Sequence, residues 1–315
     1  MIEVERLSKR YGDIEALRNI SFSLGEGEIV GFLGPNGAGK TTTMRIITGC
    51  LSASSGTVRV GNHDVFKEPK EVKRLIGYLP EHPPLYDYMT VSSYLNYVAI
   101  LKDVPKKRRK LMLEKALEEC GLKRVRGRLI KHLSKGYRQR VGIAQAIIHD
   151  PAVLILDEPT IGLDPKQITE IRALIKGLAG GHTVILSTHI IPEVTMICQK
   201  VVIIKDGKIL TVDSLEGLSS QMEKAEKIVI RLLRHGESDV VGKLMTIPGV
   251  INVYEGKKTG EFTVEYKTGL GDRYMGDLVS RMAVENDWGL GEMHPWKMGL
   301  EEIFVRLVTQ EKQTG

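Results

Sequence analysis

The run Gly34-Pro35-Asn36-Gly37-Ala38-Gly39-Lys40-Thr41 constrains this chain more than any other feature. It meets the pattern G-x-x-x-x-G-K-[ST] at every fixed position. The apolar run Glu28-Ile29-Val30-Gly31-Phe32-Leu33 before it reads as a buried strand. The segment from Lys40 to Thr48 after it reads as a helix with Met44, Ile46 and Ile47 on its apolar side. A strand, a glycine loop and a helix N-terminus in that order make an anion site. Backbone N–H groups converge there, and the positive end of the helix dipole favours phosphate. Glycine lets the chain wrap closely because no Cβ intervenes. In such a loop Lys40 is placed to grip the β- and γ-phosphates of a nucleotide, and the Thr41 hydroxyl to hold Mg²⁺.

A second cluster of chemistry follows another apolar run. Ala152-Val153-Leu154-Ile155-Leu156 reads as a buried strand and ends in Asp157-Glu158-Pro159. A carboxylate at the C-terminal end of such a strand faces the ligand crevice of an α/β sheet. Asp157 is placed to hold Mg²⁺ directly or through water, and Glu158 to polarise an attacking water. Strands are also expected near Gly56 to Val60, Ile76 to Leu79 and Thr183 to Ser187, with helices at Val91 to Leu101, Lys106 to Cys120, Arg138 to Ile148 and Lys166 to Leu178. Strands alternating with helices predict a parallel α/β sheet. Ile2 to Leu24 reads as antiparallel strands about a turn at Tyr11-Gly12, and Val201 to Thr211 as a hairpin turning at Asp206-Gly207.

Taken in order, these motifs and those between them resemble the ATP-binding cassette family over residues 1 to about 213. Gly34 to Thr41 is similar to its Walker A motif, and Leu154 to Thr160 to its Walker B. Leu133-Ser134-Lys135-Gly136-Tyr137-Arg138-Gln139-Arg140 resembles its signature motif, Gly162-Leu163-Asp164-Pro165 its D-loop, and Ser187-Thr188-His189 its switch histidine. The resemblance implies a P-loop ATPase core with an antiparallel β subdomain and a helical subdomain at about 82–150. It assigns nucleotide contacts to Tyr11, Gly34, Pro35, Asn36, Gly37, Ala38, Gly39, Lys40, Thr41 and Thr42, and, from a second copy of the chain, to Ser134, Gly136 and Asp164. It makes Glu158, His189 and Lys40 catalytic and gives Mg²⁺ to Thr41, Asp157 and Glu81. Two departures stand out: Lys135 and Tyr137 replace the usual Gly and Gln of the signature, and Glu81 replaces a usual Gln. Glu81, the Leu-Ser-Lys-Gly run and the extra C-terminal region resemble the exporter-type branch.

Past a linker expected at 214–225 the rhythm changes. Strands at Ile228 to Leu232, Val250 to Tyr254, Glu261 to Tyr266 and Gly289 to Met293 alternate with helices at Asp239 to Met245 and Asp272 to Asn286. That βαββαβ order predicts a ferredoxin-like domain over 226–315, which ends in an amphipathic helix from Leu300 to Val308. It carries no evident chemistry, so a dimer-stabilising or regulatory role is expected. Trp288, Met293 and Trp296 read as its core.

Composition sets the remaining bounds. The chain has 315 residues, 42% hydrophobic and 27% charged, enough for two cores. A net charge of +6 and 5% aromatics give no nucleic-acid tail or stacking surface. The basic runs Lys106 to Lys110 and Lys123 to Arg126 are interspersed with Glu114, Glu118 and Glu119 and read as a solvated helical face. Cys50, Cys120 and Cys198 are far apart, so three buried thiols are expected rather than a metal or disulfide framework. The resemblance implies the ATP-hydrolysing subunit of a transporter; since no apolar run is long enough to span a bilayer, it further implies a separate transmembrane permease as partner and a place on the cytoplasmic face of the membrane. The alternative is a soluble ATPase of the same family acting on ribosomes or nucleic acid. Those relatives carry two cassettes or a long coiled coil, whereas this chain has one Walker A and no heptad run. A non-hydrolysing nucleotide sensor would be expected to lack Glu158 or His189.

Overall fold

The structure, a computed structural model, describes residues 1–222, 226–234, 239–256, 258–267, 269–296 and 300–310. Two compact units divide it, Met1–Leu215 and Glu216–Gly315. The linker expected at 214–225 is in part a helix, Leu215–Met222, while 223–225 lie outside the described residues.

The first unit opens with β1 (Ile2–Tyr11), β2 (Ile14–Leu24), β3 (Ile29–Leu33), α1 (Lys40–Ile47), β4 (Ser55–Val60), β5 (His63–Asp64), α2 (Pro69–Leu75) and β6 (Ile76–Leu79). Three helices follow, α3 (Val91–Leu101), α4 (Lys106–Glu119) and α5 (Lys135–Ile147), with two short 3₁₀ turns between the last pair. The chain then returns through β7 (Val153–Asp157), α6 (Pro165–Leu178), β8 (Thr183–Thr188), α7 (Ile191–Ile197), β9 (Lys200–Lys205) and β10 (Lys208–Ser214).

Two sheets result. One is antiparallel, in the order β2-β1-β4-β5; the other runs β10-β9-β3-β8-β7-β6, parallel except for β10. Strands β3, β7 and β8 are buried at every residue. Parallel strands covered on both faces need such uninterrupted apolar runs. Val30 and Phe32 of β3 share one core with Val4 and Leu7 of β1 and with Met44 and Ile47 of α1. The register sets Leu33 beside Thr188 and Asp157 beside Ser187, so three strand ends finish level under the glycine loop.

Several boundaries differ from the sequence reading for local reasons. Helix α5 begins at Lys135, not Arg138, because the Ser134 hydroxyl caps it by accepting from the Tyr137 N–H at 3.4 Å. Gly136, which reads as a weak helix former, is held there by packing: a Cβ would stand 2.8 Å from Cδ of Gln167. The short helices α2 and α7 escape a periodicity search because each spans 7 residues, with a proline in the first turn as their only signal. Cys120 and Cys198 are buried, but Cys50 is exposed, which corrects the expectation of three buried thiols. It follows the C-terminal turn of α1, where the chain leaves the core. The basic runs are partly neutralised: Arg126 pairs with Glu114 at 2.8 Å and Lys123 with Glu118 at 2.7 Å.

Helix α8 (Leu215–Met222) leads into the second unit, built from β11 (Glu226–Leu232), α9 (Val240–Met245), β12 (Val250–Glu255), β13 (Glu261–Tyr266), α10 (Asp272–Glu285), β14 (Leu290–Pro295) and α11 (Leu300–Gln310). Its sheet is antiparallel throughout, in the order β12-β13-β11-β14, the arrangement of a ferredoxin-like fold. Trp288 is buried with Ile230, Val264 and Val279 in its core. Met293 and Trp296 are not core residues. Met293 on the terminal strand is 39% exposed, and Trp296, past the end of that strand, stacks under the Lys227 amine at 5.2 Å.

Candidate active site

The loop between β3 and α1 is built as close to the protein as backbone allows. A Cβ on Gly34 would collide with the Ile204 carbonyl, and one on Gly39 would stand 2.9 Å from the Ala16 carbonyl. Gly37 and Gly39 also sit at φ +79° and +107°, a region costly for any L side chain. No side chain caps α1, and its first turn holds no acidic residue. Its first amides are therefore directed at whatever anion enters the loop.

Lys40 is only 6% exposed. Its Nζ donates to the carbonyls of Gly34 at 2.8 Å and Pro35 at 3.2 Å and lies 3.7 Å from Oε1 of Glu158. Burial pulls its pKa below the usual lysine value, opposed by the carboxylates of Glu158, Asp157 and Glu81. The ammonium is thus kept at the mouth of the loop by groups that a triphosphate can replace.

Asp157 ends β7 and is fully buried, and neither carboxylate oxygen has a hydrogen-bond partner among the described residues. Burial raises its pKa, while the nearby Ser187 and Thr41 hydroxyls and the Lys40 charge oppose the shift. The Ser187 hydroxyl is itself buried and unpartnered. An orphaned carboxylate beside two hydroxyls costs free energy unless a cation joins it. Among the described residues no group of three or more His, Cys, Asp or Glu forms a metal cage. One carboxylate with hydroxyls beside it is the donor set Mg²⁺ uses when substrate phosphates and water complete its shell, so the residues fit the ion.

Glu158 is the next residue, at φ +49°. Its N–H is fixed to the Ser187 carbonyl at 2.9 Å. A non-glycine residue in this region is strained, and such strain concentrates at working sites. The turn swings its buried side chain between Lys40 and His189, whose Nδ1 lies 2.9 Å from Oε1 and 3.0 Å from Oε2. His189 follows the end of β8, and its side chain is 37% exposed.

Lys40, Glu158 and His189 line one open cleft of about 460 Å³ together with Asn36, Gly37, Gly39, Thr41, Thr42 and Glu81. Glu81 and Thr41 also line an adjoining cleft with Asp157 and Tyr78. Several expected residues lie outside the first cleft's lining. Tyr11 is 45% exposed at the end of β1, under the Lys9 amine at 5.1 Å. Ser134 caps α5, Gly136 packs on Gln167, and Asp164 caps α6 by accepting from the Gln167 N–H at 2.9 Å. Gly34, Pro35 and Ala38 shape the loop rather than the cleft wall. Ala16 and Ile161 line the cleft unannounced by any motif. Ser187, the first residue of the switch-histidine motif, is buried beside Asp157 with its hydroxyl unpartnered among the described residues.

The family model described as ABC transporter matches residues 17–161. The uncharacterized ABC transporter ATP-binding protein YdbJ of Bacillus subtilis is 34% identical over 100% of this chain and 97% of its own length. The bacitracin transport ATP-binding protein BcrA of Bacillus licheniformis is 33% identical over 98% of this chain and 97% of its own. Among solved structures, the dimeric post-hydrolysis state of the ATP-binding cassette MJ0796 with ADP and phosphate superimposes with a TM-score of 0.62 at 28% identity, covering 68% of this chain and 99% of that one. Among the described residues no helix is long and apolar enough to cross a membrane.

Proposed function

We propose, because this chain belongs to the family of ABC transporter ATP-binding proteins, that it hydrolyses ATP to drive export by a separate membrane subunit. The observation that carries the reading is Glu158, held between His189 and Lys40 at the floor of the glycine-loop cleft. Lys40 exchanges the Gly34 and Pro35 carbonyls for the β- and γ-phosphates, and the α1 amides take the remaining charge. Thr41, Asp157 and Glu81 would hold Mg²⁺, which when bound neutralises charge between those phosphates. A water positioned by Glu158 attacks the γ-phosphorus while the bond to the β–γ bridging oxygen breaks. Glu158 accepts the water's proton, and His189 keeps its carboxylate aimed.

Ser134, Gly136 and Asp164 stand apart from the cleft in their own chain, which supports their service to a second copy. There the capped N-terminus of α5 would face the γ-phosphate, while Tyr11 would stack on the adenine held by its own chain's glycine loop. The dimeric state of the MJ0796 relative and the transport name of the BcrA relative support dimerisation and coupling to transport respectively. The working place is then the inner face of the cell membrane, with the groove from Glu81 to Tyr86 turned to the permease.

Steady-state hydrolysis by the purified chain tests the reading. Glu158→Gln is expected to lower turnover by about 10²–10⁴-fold while ATP binding persists. Lys40→Ala is expected to weaken nucleotide binding itself. A wild-type chain that binds ATP without releasing phosphate would overturn the hydrolytic assignment.

A further inference from the structure

Behind the cleft, out of reach of any nucleotide, lies a fully buried carboxylate. Glu193 in α7 is 0% exposed. Its Oε1 accepts from the Thr160 hydroxyl and its Oε2 from the Thr188 hydroxyl, the latter at 2.8 Å. Thr160 and Thr188 are themselves buried. Thr160 lies two residues after Glu158, and Thr188 immediately before His189. The Thr188 hydroxyl in turn accepts from the Ile190 N–H at 3.1 Å, closing the turn that carries His189. Nη2 of Arg172, on α6, lies 3.9 Å from Oε1.

We infer that Glu193 is a positioning residue, whose carboxylate ties the turn after β7 to the turn after β8 and so holds Glu158 and His189 in hydrogen-bonding register. A carboxylate is suited to this because it accepts on both oxygens at once, and both donors here are hydroxyls whose rotors must be aimed. The two tied turns otherwise meet through main chain at one bond, from Glu158 N–H to the Ser187 carbonyl. That bond fixes the height of Glu158 but does not itself reach His189, which lies one residue beyond the sheet pairing of Thr188 with Leu33. Burying a carboxyl group is costly and persists where hydrogen bonds and a nearby cation offset it. Here the two hydroxyls supply the bonds and Arg172 the charge. Arg172 also brings in α6, the helix capped by Asp164, so three motif-bearing segments meet on one side chain.

The inference rests on the hydrolytic reading above and fails separately from it. Glu193→Ala is expected to lower kcat by about 10–100-fold with KM and the affinity for a fluorescent ATP analogue unchanged, the pattern of an interaction made only in the transition state. Glu193→Gln can still join both hydroxyls, since a threonine hydroxyl accepts as well as donates, and is expected to recover most of the rate. Thr188→Val and Thr160→Val keep side-chain shape and each break one tie. If Glu193 acts through His189, then His189→Ala combined with Glu193→Ala loses no more rate than His189→Ala alone. Additive losses in that pair, a loss confined to KM, or full turnover in a folded Glu193→Ala would each overturn the inference. Absence of turnover in the wild type would instead remove the hydrolytic reading. Should Glu193→Ala not fold, the two valine variants and their pairing with His189→Ala carry the same test.

Discussion

Asp157 and Glu158 are neighbours with opposite problems. Asp157 is buried without a partner, and Glu158 is partnered but strained. The sign for Asp157 follows from its raised pKa. The folded state binds its proton more tightly than the unfolded state, so its contribution to stability declines as pH rises through that window. In its ionised form the carboxylate therefore destabilises the ligand-free fold. Asp157→Asn is expected to raise the melting temperature of the ligand-free protein at pH 7 and to abolish the further rise that Mg²⁺ with ATP gives the wild type. A lower melting temperature in the ligand-free variant would mean that Asp157 is already satisfied. Lys40, Asp157 and Glu158 are legible in the sequence because each belongs to a motif bounded by its own strand. Ala16, Ile161 and Glu193 carry no local pattern; they reach the site only when β2, the turn after β7 and α7 come together in space.

At the scale of elements, the parallel sheet was readable because buried strands are uninterrupted apolar runs, as Val153–Asp157 is. Helix starts were less so: the start of α5 is decided by Ser134 capping and Gln167 packing, and the second of these spans two elements. The junction of β6 with α5 makes a testable case. The Ile76 carbonyl accepts from both Lys102 Nζ and His149 Nε2, each at 3.1 Å. Burial, with the nearby Lys102 charge, pushes the His149 pKa down from 6.5 to about 4. The unfolded chain binds the proton first as pH falls, so stability is lost between pH 6.5 and about 4. His149→Gln keeps a donor for Ile76 but cannot titrate. Its melting temperature is expected to fall less steeply than that of the wild type across this window, with little difference at pH 7.5. Parallel curves would show that His149 is not held neutral.

The whole molecule is two units with separate cores, one carrying the cleft and the other a ferredoxin-like sheet. The MJ0796 relative is matched over 99% of its length by 68% of this chain, so a cassette can exist without the second unit. The βαββαβ order was legible because its strands and helices alternate cleanly, whereas the exposure of Met293 was not, since a strand at the sheet edge leaves one flank open. A chain ending at Leu215 is expected to bind ATP with unchanged affinity but to dimerise less readily, as read by mass photometry across a concentration series. Loss of nucleotide binding on truncation would show that the second unit supports the cleft. The account as a whole turns on Ser134 serving a cleft other than its own. The most direct measurement is a crystal structure of Glu158→Gln with Mg²⁺ and ATP. It is predicted to show two copies with each triphosphate gripped by Lys40 of one and capped by Ser134 of the other. A nucleotide bound by Lys40 with no Ser134 from either copy within hydrogen-bonding distance would contradict it.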